Sequence, residues 1–171
     1  MIRKLISRVL RLPSRSRQHD NRARVIPFVQ HGVRRDQVSP SALKVTSRLQ
    51  EAGFEAYVVG GAVRDLLIGH EPKDFDVATN ATPEEVHRLF RRSRIIGRRF
   101  RIVHVVFGRD EVIEVTTFRG DGRDLQTTES GRIISDNSYG SMADDSRRRD
   151  FTANALYYNP ADESIHDYHH G

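Results

Sequence analysis

The sequence predicts a mixed α/β (α+β) fold, a sheet with antiparallel strands and helices packed on it. Three observations carry that prediction. Stretches with apolar residues at helical spacing alternate along the chain with short β-branched and aromatic runs. Gly108-Arg109-Asp110 joins two such runs, Ile102 to Phe107 and Glu111 to Phe118, as a hairpin signal, and an antiparallel pair argues against a purely parallel, doubly wound sheet. With 37% hydrophobic residues, a chain of 171 can bury one real core and little more than one domain.

The elements follow in order. Ser39-Pro40-Ser41 caps a helix containing Leu43, Val45 and Leu49, which Gly53 closes. Phe54 to Val59 reads as a strand, Gly60-Gly61 as a turn, and Ala62 to Ile68 as a short helix that stops at Gly69. Phe75-Asp76-Val77 is a second strand. Thr82-Pro83-Glu84-Glu85 is a helix start, with a capping threonine, proline at the first position and acids in the first turn. The Ile102–Phe107 and Glu111–Phe118 strands come next. Residues 119–140 are polar and aperiodic and read as a long loop, after which order resumes from Asp150 to Tyr158. No internal repeat is visible.

Charge divides the chain. Residues 1–35 hold ten Lys or Arg against the single acid Asp20, a net +9, whereas the remainder is net −4. The expected organisation is a basic, flexible arm over 1–37 and a globular head over 38–171. Ile2, Leu5, Ile6, Val9 and Leu10 recur at helical spacing within the arm. A solvated tail, an RNA-neutralising arm and a targeting or membrane-surface helix are all compatible with that pattern. The chain has no cysteine, which excludes a disulfide scaffold, a thiolate zinc site and a cysteine nucleophile. No apolar run approaches the roughly 18 residues of a membrane span.

The chemistry lies in carboxylates. In a strand, residues i and i+2 share a face, so Asp74 and Asp76 of Lys73-Asp74-Phe75-Asp76-Val77 are expected to converge. Two adjacent carboxylates repel unless a cation joins them, and oxygen-only donors suit a hard ion such as Mg²⁺. An exposed pair at a loop edge is the plainer reading of the same residues. Glu114 sits inside Val112-Ile113-Glu114-Val115, a run that favours burial, and is either a third carboxylate of the site or part of an edge strand's solvent face. The glycines of Val59-Gly60-Gly61-Ala62-Val63-Arg64 let the backbone approach a phosphate, with Arg64 one turn on, or simply make a tight turn. In Arg147-Arg148-Arg149-Asp150-Phe151-Thr152-Ala153-Asn154, the arginines suit phosphate. Asp150 and Asn154, four apart on an expected helix, share a face and suit a ribose hydroxyl or an arginine. A capped helix start with an exposed charge run is the alternative.

Taken together and in order, Gly60 to Asp65, Asp74-Phe75-Asp76, Ile113 to Arg119 and Arg148 to Asn154 resemble the head of the class II nucleotidyltransferases. That family comprises tRNA CCA-adding enzymes and bacterial poly(A) polymerases, and the resemblance covers roughly residues 38–171. Ile95 to Val105 is similar to the segment that marks the poly(A) branch. The resemblance implies a polymerase-beta-like head and a cytoplasmic, template-independent enzyme adding AMP from ATP to RNA 3′ ends. It implies Asp74 and Asp76, with Glu114, as ligands of two Mg²⁺ ions. Asp150 becomes a further active-site carboxylate, and Gly60, Gly61, Arg64, Arg149 and Asn154 become nucleotide contacts. One ion would activate the 3′-hydroxyl and the other steady the pyrophosphate leaving group. Members of the family continue into helical neck and body segments, where an E-D-x-x-R block reads the base. This chain stops at Gly171, so the expectation is a catalytic head without those segments. A CCA-adding head and a non-catalytic RNA-binding fragment are the alternatives.

Overall fold

The structure, a computed structural model, describes residues 22–98, 100–109, 111–120, 126–127, 133–135 and 138–171. The first elements are β1 (Arg24–Ile26), α1 (Phe28–His31), α2 (Pro40–Glu51), β2 (Ala56–Val59) and α3 (Gly61–Leu67). Next come β3 (Asp76–Thr79), α4 (Pro83–Leu89), β4 (Ser93–Ile96), β5 (Ile102–Phe107) and β6 (Glu111–Thr117). The last are β7 (Gln126–Thr127), β8 (Ile133–Ser135), α5 (Met142–Arg147), β9 (Leu156–Asn159) and β10 (Ser164–Asp167).

The predicted helix starts form as their sequences dictate. The Ser39 side chain accepts from the Ser41 and Ala42 amides at the head of α2. Thr82 and Glu85 form a reciprocal capping box on α4, and Ser141 with Asp144 forms another on α5. At the end of α2, Gly53 takes φ +89° and the Phe54 amide bonds back to the Leu49 carbonyl, a Schellman closure.

Eight strands make one mixed sheet in the order β1-β10-β9-β2-β3-β6-β5-β4. Every neighbouring pair is antiparallel except β3 and β6, which run parallel with Asp76 beside Glu114. One face carries Val58, Val77, Val103, Val105, Ile113 and Val115, packed with Val45 and Leu49 of α2, Val63 of α3 and Val86 of α4. The other face carries a smaller cluster, Val59, Ala78 and Tyr157, closed by Phe118 and Met142 of α5. That second face holds the polar site.

Four expectations change. The presumed arm is divided: residues 1–21 lie outside the described residues, but β1 pairs with β10 and Val33 joins the core. His31 helps to hold this segment, its Nε2 donating to the Glu163 carbonyl while Nδ1 accepts from the Val33 amide. Asp74 and Phe75 precede β3 rather than lying in it. Asp150 opens a 3₁₀ turn (Thr152–Asn154) rather than an α-helix. Finally, α5 and β4 form where neither was foreseen. Of the expected loop 119–140, the described parts are 119–120, the β7–β8 pair and 138–140, with a bridge between Arg119 and Tyr139, and the rest lies outside the described residues.

Candidate active site

Alternation along β6 turns Ile113, Val115 and Thr117 into the core and leaves Val112, Glu114 and Thr116 on the open face. In β3 the same alternation buries Val77 and presents Asp76. The parallel register then sets Asp76 directly beside Glu114. Asp74, from the segment entering β3, meets them in a cleft of about 460 Å³ that is also lined by Phe75, His104 and Val112. The sequence-predicted carboxylates Asp74, Asp76 and Glu114 therefore do converge, although Asp74 arrives from the segment before β3 and not from the strand.

Asp76 carries the electrostatic mark of this arrangement. It reaches solvent, yet the crowding protein raises its pKa by desolvation, and the charges of Glu114 and Asp74 raise it further against the opposing pull of Arg149. An excess of negative charge with oxygen-only donors fits a hard divalent cation. Among the described residues, no group of three or more His, Asp or Glu is already arranged to hold an ion. His104, opposite Glu114 in the β5–β6 register, brings Nε2 to 3.2 Å from Glu114 Oε1 without making a hydrogen bond.

A second cleft of about 280 Å³ adjoins on the same face, lined by Thr116, Arg119, Asp145, Arg148 and Arg149. Here the side chains are braced. Asp145, only 6% exposed, receives Arg149 Nε and Nη2 at 3.2 and 3.0 Å, the Tyr157 hydroxyl at 2.7 Å and the Arg119 amide at 3.2 Å. Arg149 also donates from Nε to the Tyr157 oxygen at 3.1 Å. Desolvation works against the Arg149 charge, but Tyr157 and Asp145 outweigh it, and the guanidinium pKa is raised. Burial pushes the Tyr157 phenol far up, so it stays a donor. Arg149 Nη1 makes no hydrogen bond among the described residues and lies on the Gly60 side, 3.8 Å from where a Cβ there would stand.

Gly60 has φ +82° and ψ −141°, a conformation open to glycine and strained for other residues. It turns the chain out of β2 directly into α3. Arg64, one turn on, is held by two bonds to Asp65 Oδ1 and donates from Nη1 to Asn154 Oδ1 at 2.9 Å. Asn154 in turn donates to Asp150 Oδ1 at 3.4 Å, and that oxygen also takes the Phe151 amide at 2.9 Å. So Gly60, Gly61, Arg64, Asn154 and Asp150 form one linked set that meets Arg149 at Gly60. Asp150 and Asn154 do meet, through a 3₁₀ turn.

Sequence reading did not single out His104, Asp145 or Tyr157. The period-2 pattern of β5 places His104 with Ile102 and Val106 on the open face, which is the signal that would have found it. Asp145 and Tyr157 meet only through tertiary structure, 12 residues apart on a helix and a strand.

Carboxylates side by side on adjacent strands, an arginine-lined cleft beside them and a Gly-Gly turn facing that arginine define a nucleotidyltransferase head. The profile of the poly(A) polymerase head domain matches residues 56–171, and the chain belongs to that family. It is 54% identical over 151 residues to poly(A) polymerase I of Escherichia coli O157:H7, covering 84% of this chain and 32% of that protein. A CCA-adding enzyme of Geobacillus kaustophilus is 46% identical over 117 residues, covering 67% of this chain and 28% of that protein. The crystal structure of the Bacillus stearothermophilus CCA-adding enzyme in complex with CTP superimposes with a TM-score of 0.58 at 37% identity, covering 75% of this chain and 30% of that one. The chain thus spans about a third of the length of the curated relatives it matches. Among the described residues no helix is long and apolar enough to cross a membrane.

Proposed function

We propose that this head transfers AMP from ATP to the 3′-hydroxyl of RNA without a template, in the cytoplasm, releasing pyrophosphate. The observation that supports this most is the union of two opposite clefts on one sheet face. The carboxylates of Asp74, Asp76 and Glu114 stand next to the braced cation Arg149, close enough for its charge to pull down the pKa of Asp76.

In this reading Asp74 and Asp76 hold Mg²⁺, two ions in all, with Glu114 as a further carboxylate. When bound, Mg²⁺ supplies Lewis-acid stabilisation of triphosphate charge and makes a hydroxyl easier to deprotonate. The protein's own groups do the rest. Arg149 presents Nη1 to the triphosphate, with Asp145 and Tyr157 preventing its rotation away. The Gly60–Gly61 backbone lets phosphate oxygens come near, and Arg64 stands beside them. Asp150 and Asn154 supply an acceptor and a donor suited to ribose hydroxyls. Fixing these groups before the substrate arrives lowers the reorganisation that the reaction requires.

ATP rather than CTP is proposed from the greater likeness to poly(A) polymerase I, which extends over more of the chain than the likeness to CCA-adding enzymes. The test is primer extension on a short RNA with each nucleoside triphosphate separately, beside an Asp74→Ala/Asp76→Ala control. A ladder with ATP alone, absent from the control, is expected. Equal use of CTP, stopping after a few additions on tRNA, would move the head to the CCA-adding branch. If the 171-residue chain is silent, the same assay is run with the head joined to the remaining segments of a poly(A) polymerase.

A further inference from the structure

A third concavity lies away from both clefts. It has a volume of about 360 Å³ and is bounded by α2, the end of α4 and the β5 side of the hairpin. Its floor includes Phe90 and Phe107, and its rim carries Lys44, Arg48, Arg91 and Arg92. No acidic residue lines it. Arg48 is fixed by donating Nε to the Leu89 carbonyl at 3.0 Å, with its guanidinium 5.9 Å from the centre of the Phe90 ring. Arg92 is fixed by donating to the Gly108 carbonyl at 2.9 Å. Both are anchored through neutral carbonyls, so their charge is oriented and not neutralised. None of the four cations has an ion-pair partner among the described residues.

This concentration of charge is in the wrong place to serve the triphosphate, whose proposed contacts lie on the other face of the sheet. It is well placed for a polymer. One strand is common to both: β5 gives His104 to the catalytic cleft and Val105 to Phe107 to this groove, and its groove residue Val106 pairs with Val112 of β6, which lines the cleft. A chain with its 3′ end in the cleft already stands at that hairpin. Cations around an aromatic floor suit phosphates and unstacked bases of a single strand.

We infer that the Lys44–Arg48–Arg91–Arg92 groove is a binding site for single-stranded RNA, taking the part of the primer upstream of its reacting 3′ end. The inference rests on RNA being the primer, as proposed above, and adds where on the head it is gripped. Binding here is dominated by phosphate neutralisation, so affinity falls with salt in proportion to the number of cations engaged.

The test is fluorescence anisotropy of a fluorescein-labelled oligoadenylate with the whole chain, titrated over a range of salt. The groove variant is Lys44→Ala/Arg91→Ala/Arg92→Ala. A control variant, Arg24→Ala/Arg88→Ala/Arg94→Ala, removes the same charge from exposed positions outside the groove. The groove variant is expected to bind about tenfold more weakly and to reduce the salt slope by about two, at roughly 0.7 per lost contact. The control is expected to change both far less, and ATP binding to stay the same in both. Equal losses in the two variants, or an unchanged groove variant, would overturn the site while leaving the primer reading intact. An unmodified chain that binds no RNA would overturn the primer reading and the site together. Retained RNA binding with a loss of affinity for an acidic peptide would make the groove a protein-docking surface and overturn it as well.

Discussion

The two halves of the active face are built on opposite plans. The basic half is braced before any ligand arrives: Arg149 is gripped by a buried carboxylate and a buried phenol, and Arg64 by Asp65 and Asn154. The acidic half is left unresolved. Asp74, Asp76 and Glu114 share a cleft with no Lys or Arg ion-paired to them among the described residues, and burial, then the charges of Glu114 and Asp74, hold the Asp76 pKa up. The difference teaches where each half obtains its order. The basic groups are held by the protein's own hydrogen bonds, whereas the carboxylates are brought together by strand register and the segment entering β3.

Substitutions on each side sharpen that contrast. The largest effect is expected from the acidic half. Asp74→Ala/Asp76→Ala should lower primer extension by on the order of 10³-fold or more, because on the proposed reading it removes the carboxylates that would hold Mg²⁺. Its fold should survive, as shown by an unchanged circular dichroism spectrum. A variant with near-normal extension would remove these residues from the site.

Next comes the brace. Asp145→Asn leaves the buried Arg149 charge uncompensated and should cost about 3 kcal/mol of stability in urea unfolding. The same change should weaken ATP binding while leaving adenosine binding unaltered. An effect on stability with none on ATP would make the brace structural only. Gly60→Ala should follow, at about 1–3 kcal/mol of backbone strain measured in the same unfolding experiment, since its φ of +82° disfavours a Cβ even though only Arg149 is near.

The smallest effect tests the acidic half without chemistry. Because folding raises the Asp76 pKa above its ordinary 3.8, the folded form is favoured with the proton on. That contribution is present below the ordinary value and is lost as pH rises through the raised one. Asp76→Asn should therefore raise the melting temperature at neutral pH, and the gain should shrink as pH falls toward 3.8. Added Mg²⁺ should raise the melting temperature of the native chain, EDTA should reverse this, and the Asp74→Asn/Asp76→Asn variant should not respond. An equal response from that variant would place the cation elsewhere.

How far the sequence could be read follows from the range of each interaction. Ser39, Thr82 and Gly53 announce α2 and α4 because capping is decided within a few residues. The β5–β6 pair was legible because its strands adjoin in sequence. β1 and β10 were not, because Arg24 meets Asp167 only through the finished sheet, and Ser164-Ile165-His166-Asp167 has little strand character of its own. β4 was hidden in a basic stretch, Ser93-Arg94-Ile95-Ile96, whose alternation covers only four residues. In the site, the Asp74/Asp76 spacing suggests one strand, whereas Asp74 lies in the segment that leads into β3 and reaches the same cleft. The support for Arg149 is illegible because Asp145, on a short helix, and Tyr157, on β9, meet it only in the folded sheet, and no local pattern ties the three together.

The single parallel pairing described in the main sheet has a consequence for how the molecule avoids misfolding. The observed alignment of β3 with β6 sets Asp76 directly beside Glu114 on the cleft face. A slip of β6 by one residue would turn Glu114 inward among Val77 of β3 and Val103 of β5, and expose Ile113 and Val115 in its place. Burying that charge without a partner is costly, so the residue proposed for catalysis also penalises the wrong alignment. Replacing Glu114 with an apolar residue would then do more than weaken the chemistry. It would remove the electrostatic check on registry, and the yield of correctly folded protein would fall along with the activity.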